Sequence, residues 1–134
     1  MEVPGNFLTT AMGILPHQDL DRALETALSV DVPFWPQLPR LDFREDMYVQ
    51  VSEGFPGIRL DEAERRLWLE RRAFYEELEA YAANMENEAY FRLSPAYAAP
   101  YHAFLRRDLS GYPAIRGQSI GPISFGLKVT DEER

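Results

Sequence analysis

The stretch Met12-Gly13-Ile14-Leu15-Pro16-His17 holds the residue types that chemistry would use first. An apolar run stops at Gly13, passes through Pro16 and His17, and leads into an amphipathic segment. A strand that ends in a glycine turn before a helix is how α/β folds build ligand sites, because the glycine backbone can approach a ligand closely. His17, just past the turn, is suited to act as a polar pocket group or proton carrier. No pair of histidine or carboxylate ligands lies at helical spacing around it to complete a metal site. Gln118 and Ser119, before Gly121-Pro122, are candidates to line a pocket, and Trp35 is a candidate packing face.

Composition narrows what such a site can serve. The chain has 134 residues, the size of one domain, and 46% of them are hydrophobic, enough to pack a core. With 22 acidic against 14 basic residues the formal charge is −8, which disfavours a nucleic-acid or anionic-membrane partner. There is no cysteine, so disulfides, thiolate catalysis and Cys-based zinc sites are excluded from these residues. The first residues, Met1-Glu-Val-Pro-Gly5, lack a secretory pattern, and no apolar run approaches the roughly 20 residues of a membrane span. A cytoplasmic setting is the expectation.

The elements that would position these residues follow in order. Residues 1–6 read as an irregular lead-in and 7–14 as a buried strand. Asp19 or Gln18 opens a helix of about three turns, with Leu20, Ala23, Leu24, Ala27 and Leu28 on one face and Asp21, Arg22 and Glu25 on the other. Three prolines between Val32 and Pro39 rule out a helix and a central antiparallel strand, leaving a short parallel strand near 32–35. Strand, helix and strand then form a βαβ unit. Arg44–Val51 fits a short helix. Residues 57–70 fit either a hairpin, from the alternation of Ile58, Leu60, Leu67 and Leu69, or a helix opening at the Asp61/Glu64 capping box. The residues alone lean slightly to the helix. A helix from Arg72 to about Met85 follows, with Glu76, Glu77 and Glu79 to solvent. Ser94-Pro95 signals a further helix start, ending at Arg106-Arg107. Tyr90, Tyr97 and Tyr101 read as packing residues and His102 as surface or half-buried. Residues 115–120 read as a strand, with a further helix expected to begin only near Arg134.

Three segments in this order resemble the uroporphyrinogen decarboxylase/cobalamin-independent methionine synthase superfamily. Thr9-Thr-Ala-Met-Gly-Ile-Leu-Pro-His17 resembles its opening Thr-Thr-x-Ile-Gly-Ser-x-Pro turn. Phe34-Trp-Pro-Gln-Leu-Pro39 with Asp46-Met47-Tyr48 resembles its second strand and loop, and Gly117-Gln-Ser-Ile-Gly-Pro122 its Lys-Gly-x-x-Thr-Gly-Pro strand end. The resemblance implies that residues 1–134 are a single, incomplete domain, the N-terminal portion of a (β/α)8 TIM-type barrel, a fold of roughly 250 residues. It further implies a β-hairpin insertion near 57–70, which decides between the two readings of that stretch.

In the methionine-synthase branch the opening turn holds the amino-acid end of a thiol substrate, so the resemblance implies substrate binding by Met12, Gly13, Ile14, His17 and Gln37. Ile14 lacks the hydroxyl of the family serine. Gln37, near a substrate-contacting glutamate of the synthases, can hydrogen-bond a ligand but cannot balance an ammonium charge. The family's zinc ligands lie on later strands, so zinc is expected in a complete barrel and not on these residues. Residues 7–19 contain no arginine, unlike the opening that decarboxylases use to grip porphyrin carboxylates. The leading expectation is therefore part of a methionine-synthase-like or corrinoid-related methyltransferase barrel, inactive alone, with a small-molecule thiol as substrate of the complete protein. The alternatives are a non-catalytic assembly or binding module that uses its open sheet edge to join a partner chain or a second copy, a uroporphyrinogen-decarboxylase-like enzyme, and a free-standing small α+β enzyme.

Overall fold

The computed structural model describes residues 7–133; the lead-in assigned to residues 1–6 lies outside them. Helix α1, Leu20–Leu28, starts where the side chain of Asp19 accepts the Arg22 N–H at 2.8 Å. Its stripe is the expected one, with Ala23, Leu24 and Ala27 buried. A 3₁₀ turn, Phe43–Glu45, is capped by Asp42, and the short α2, Met47–Val51, by Asp46. Strands β1, Ile58–Asp61, and β2, Arg66–Leu69, pair antiparallel with Ile58 opposite Leu69 and Asp61 opposite Arg66. Residues 57–70 thus contain a hairpin. Then come α3, Arg71–Ala83, α4, Ala99–Leu105, and α5, Pro122–Lys128.

Three extended segments lie parallel beside this frame. Ile14 bridges Gln37, and Phe34 bridges Arg116, both in parallel. Leu15 N–H donates to Gln37 O at 3.0 Å and Gln37 N–H to Gly13 O at 2.7 Å. On the other side Trp35 N–H donates to Arg116 O at 3.1 Å and Arg116 N–H to Pro33 O at 2.8 Å. The second segment therefore sits between the first and third. Its prolines, Pro33 and Pro36, lack the N–H a regular ladder needs, which is why the pairing is isolated bridges and not continuous strands. At the N-terminal end, Asp31 ties the first two segments together, accepting from Thr9 N–H at 2.8 Å and Thr9 Oγ1 at 2.6 Å. Those bonds hold the Asp31 carboxyl below the usual aspartate range.

Leu24, Ala103 and Phe104 form the central cluster, with Leu20, Leu28, Trp35 and Leu109 packed around it. Helices α1 and α4 thus pack on each other and on the middle segment. A second, aromatic cluster is centred on Phe55, which stacks near Phe74 of α3 at 6.3 Å, Tyr81 at 5.8 Å and Phe125 of α5 at 5.6 Å.

Four expectations are corrected. The first segment is not buried: Thr9 to Met12 and Ile14 are exposed, and within residues 7–14 only Gly13 is fully buried, because no element of the described residues covers the other face. Ser94-Pro95 opens a turn instead of a helix, since Ser94 O is shared by the N–H groups of Tyr97 and Ala98, and the helix starts at Ala99 with Pro100 in its first turn. A helix already begins at Pro122, well before Arg134, with proline's fixed φ suited to a first turn. Glu77 is not merely solvated; it accepts Gly57 N–H at 2.8 Å and Arg59 Nη2 at 3.1 Å, docking α3 on the hairpin.

Candidate functional site

The C-terminal ends of the three parallel segments are joined by side chains. Gly13 N–H donates to Gln118 Oε1 at 3.0 Å, and Gln118 Nε2 donates to Gln37 Oε1 at 2.5 Å. Gln37 Nε2 donates in turn to Gln50 Oε1. Gln50 Nε2 finishes the chain on two acceptors, Glu45 Oε2 at 3.1 Å and Tyr97 O at 2.9 Å. One end is a backbone N–H, which only donates, and the other includes a backbone carbonyl, which only accepts. Those ends fix the orientation of all three carboxamides. The result is a unidirectional chain from the first strand end, through the third and second segments, to α2 and the start of α4.

Burial explains why the chain must be complete. Gln37 and Gln50 are each 1% exposed and Glu45 is 3% exposed. A buried polar group without a partner costs roughly 1–3 kcal/mol, so each amide stabilises the next by satisfying it. Burial pushes the Glu45 carboxyl up to about 7, opposed by the N–H groups of Ala99 and Leu38 that bond to it and aided by the nearby charge of Asp42. Glu45 thereby ties the end of the second segment to the first turn of α4.

The residues singled out for substrate binding fall in distinct settings. Gly13 is buried, and a Cβ there would lie 2.3 Å from Trp35 O, so the close approach of the first two segments requires glycine. Met12 and Ile14 flank it and are 58% and 44% exposed. Gln37 is enclosed, with both atoms of its carboxamide engaged by Gln118 and Gln50. His17 is half-buried beside α1, its Nε2 3.4 Å from Thr26 Oγ1 and its Nδ1 buried without a partner among the described residues. Gln37 and Gly13 are thus brought together through Gln118, while His17 stands apart from that chain. Trp35 packs on Tyr101 with ring centroids 4.7 Å apart, and its Nε1 also lacks a described partner. His102 is half-buried, 2.9 Å from Leu93 O, and Tyr90 is 39% exposed against Tyr81 and Phe91.

Gln50 and Glu45 carry no signal that a sequence reading would find. Glu45 sits among polar residues and Gln50 between two valines, and only their enclosure by Leu38, Tyr97 and Ala99 makes them part of the site. Among the described residues no group of three His, Asp or Glu side chains is placed to hold a metal ion. No described helix is long and apolar enough to cross a membrane. No family model, curated protein or solved structure matches the chain.

Proposed function

We propose that this chain forms one wall of a substrate pocket in a methionine-synthase-like or corrinoid-related methyltransferase barrel, in a cytoplasmic setting. The observation that carries the reading is the Gly13–Gln118–Gln37 chain, which ties three parallel segments at their C-terminal ends. That end is where barrel enzymes bind substrates. Exposure of Met12 and Ile14 on the same strand end supports it, since a barrel interior would cover them. In this reading Met12, Gly13 and Ile14 meet the amino-acid end of a thiol substrate, His17 lies on the flank, and Gln37 holds the wall rigid through its two amide bonds. Zinc and its thiolate chemistry belong to strands beyond the three described, and the wall alone does not transfer methyl groups.

The test is a titration of isotopically labelled protein with L-homocysteine, followed by amide shifts. Shifts confined to Met12, Gly13, Ile14 and the side-chain amides of Gln118 and Gln37 are expected. Absence of shifts there, or methyl transfer by the 134-residue chain itself, would overturn the reading.

A second reading, an assembly module, is favoured by α5. Ile123 and Leu127 are 78% and 80% exposed one turn apart, an apolar stripe without a described partner. Light scattering after size exclusion separates the two: a stable oligomer that dissociates in the Ile123→Ser/Leu127→Ser double variant supports assembly, and a monomer rejects it.

A further inference from the structure

We propose that the cleft between α2, β2 and the C-terminal segment binds a compact small-molecule anion bearing phosphate or carboxylate groups. It uses none of the residues assigned to the strand-end wall. The cleft has a volume of about 410 Å³, within the size range of small-ligand pockets. Arg65 and Arg66 line it from the hairpin and Lys128 from the end of α5, with Phe43 and Tyr48 as aromatic walls. Asp46 is the acidic residue of the lining, and its Oδ1 is taken by the Tyr48 N–H at 2.9 Å as the helix cap.

Two observations separate this group from ordinary surface charge. None of the ion pairs of the described residues includes Arg65, Arg66 or Lys128, as is also true of Arg22, Arg40, Arg92, Arg106 and Arg116, but these three line one cleft together. Three cations against one lining carboxylate, Asp46, in a chain with 22 acidic residues, form a local positive site on a negative molecule. The second observation is the setting of Arg65, the last residue of the hairpin turn. Arg65 adopts φ +50°, a left-handed conformation that glycine or asparagine takes at lower cost. Its side chain is nevertheless held in place, Nη2 donating to Pro39 O at 2.9 Å and the guanidinium stacking 4.6 Å from the Phe43 ring. One corner of the guanidinium is thus anchored, and its remaining N–H groups serve a planar or tetrahedral oxyanion.

The C-terminal segment completes the wall. Leu69 N–H donates to Thr130 O at 2.9 Å, Leu69 bridges Asp131 in parallel, and Arg71 Nε donates to Asp131 Oδ2 at 3.0 Å. These bonds seat Lys128, Val129 and Thr130 against β2, so the third cation is positioned by the fold.

Calorimetric titration at low ionic strength with pyrophosphate and with citrate tests the proposal. Saturable one-to-one binding of at least one probe is expected with Kd of about 1 mM or below, weakening as salt is added. Amide shifts should fall on Leu67 and Thr130. The Arg66→Gln/Lys128→Gln variant should lose about tenfold in affinity, and Arg22→Gln/Arg106→Gln, with the same change in net charge, should not. Tighter pyrophosphate marks a phosphate ligand, and tighter citrate a carboxylate one. Failure of both probes to saturate, or equal loss in the two double variants, would overturn the proposal. Unchanged far-ultraviolet dichroism of the variants guards against misfolding, since all four residues are exposed.

Discussion

Gln50 Nε2 lies 3.1 Å from Glu45 Oε2, with both side chains sealed from solvent, so the last link of the amide chain ends on a buried carboxyl. Its ionisation is opposed chiefly by burial, which raises it from an ordinary 4.5 to about 7. A raised carboxyl makes the folded state bind a proton that the unfolded chain releases. The stability from this proton is complete below about pH 4.5 and is lost as the pH rises through about 7. Its amplitude is on the order of 3 kcal/mol. Asp31, Asp108 and Glu77 work the other way, since hydrogen bonds lower all three, and their contribution is lost only as the pH falls below their ordinary range. Urea midpoints should therefore decline from pH 5 to 7.5, and Glu45→Gln should remove that slope.

The glutamine chain predicts non-additive energetics. Gln37→Leu strips partners from Gln50 Oε1 and Gln118 Nε2 and should cost about 2–3 kcal/mol. Gln118→Leu should cost less, because Gln118 is half-buried and water can replace part of what it gives Gly13. A double-mutant cycle by urea unfolding should return a coupling of roughly 0.5–3 kcal/mol. Simple additivity would mean that the two amides do not act as one network.

Gly13 and Gly117 should respond oppositely to alanine, although both lie next to Trp35. At Gly13 the new Cβ meets a backbone oxygen at 2.3 Å, which cannot give way without parting the first two segments. Gly13→Ala should cost about 1–3 kcal/mol. At Gly117 the Cβ meets only ring atoms of Trp35 at 3.7 and 3.8 Å, an ordinary contact. Gly117→Ala should be neutral or stabilise by up to about 1 kcal/mol through lost unfolded-state entropy. Thermal melts of the two variants decide this.

These contrasts bear on what could be read from residue order. The α1 stripe and its Asp19 cap were legible because periodicity and capping are local. That the segments around residues 14 and 34–37 run parallel was legible from prolines and the intervening helix, while the place of the segment around residue 116 was implied only by the family resemblance; proline also thinned the strands to bridges. The hairpin was not decidable from alternation, since Asp61 and Glu64 fit a cap equally; in the fold Asp61 Oδ1 does accept the Glu64 N–H, at 3.0 Å, inside a turn. The same local bond serves both structures, and the strand pairing that separates them is a longer-range contact. Glu45 and Gln50 were invisible for a related reason. A polar residue's burial is set by elements distant in sequence, here Tyr97 and Ala99.

The hairpin's seat on α3 depends on Gly57, and Gly54 provides its internal control. Both have positive φ, +72° and +74°, so alanine pays a conformational cost of about 1–2 kcal/mol at either position. Around Gly54 a Cβ would find only Tyr90 Cε1, at 3.8 Å. At Gly57 it would lie 2.6 Å from Phe74 N and 2.7 Å from Phe74 Cα, in the first turn of α3. The same turn is where Gly57 O accepts the Glu70 N–H at 2.8 Å. Gly57→Ala should thus exceed Gly54→Ala by about 1–3 kcal/mol, the overpacking share alone. Because the clash is with backbone, the excess should appear with faster hydrogen exchange of the Glu70 amide, bonded to Gly57 O, and of the Phe74 amide, bonded to Glu70 O at the start of α3. Equal melting losses in the two variants, with unchanged exchange at those amides, would show that the hairpin and α3 are not held together at this contact.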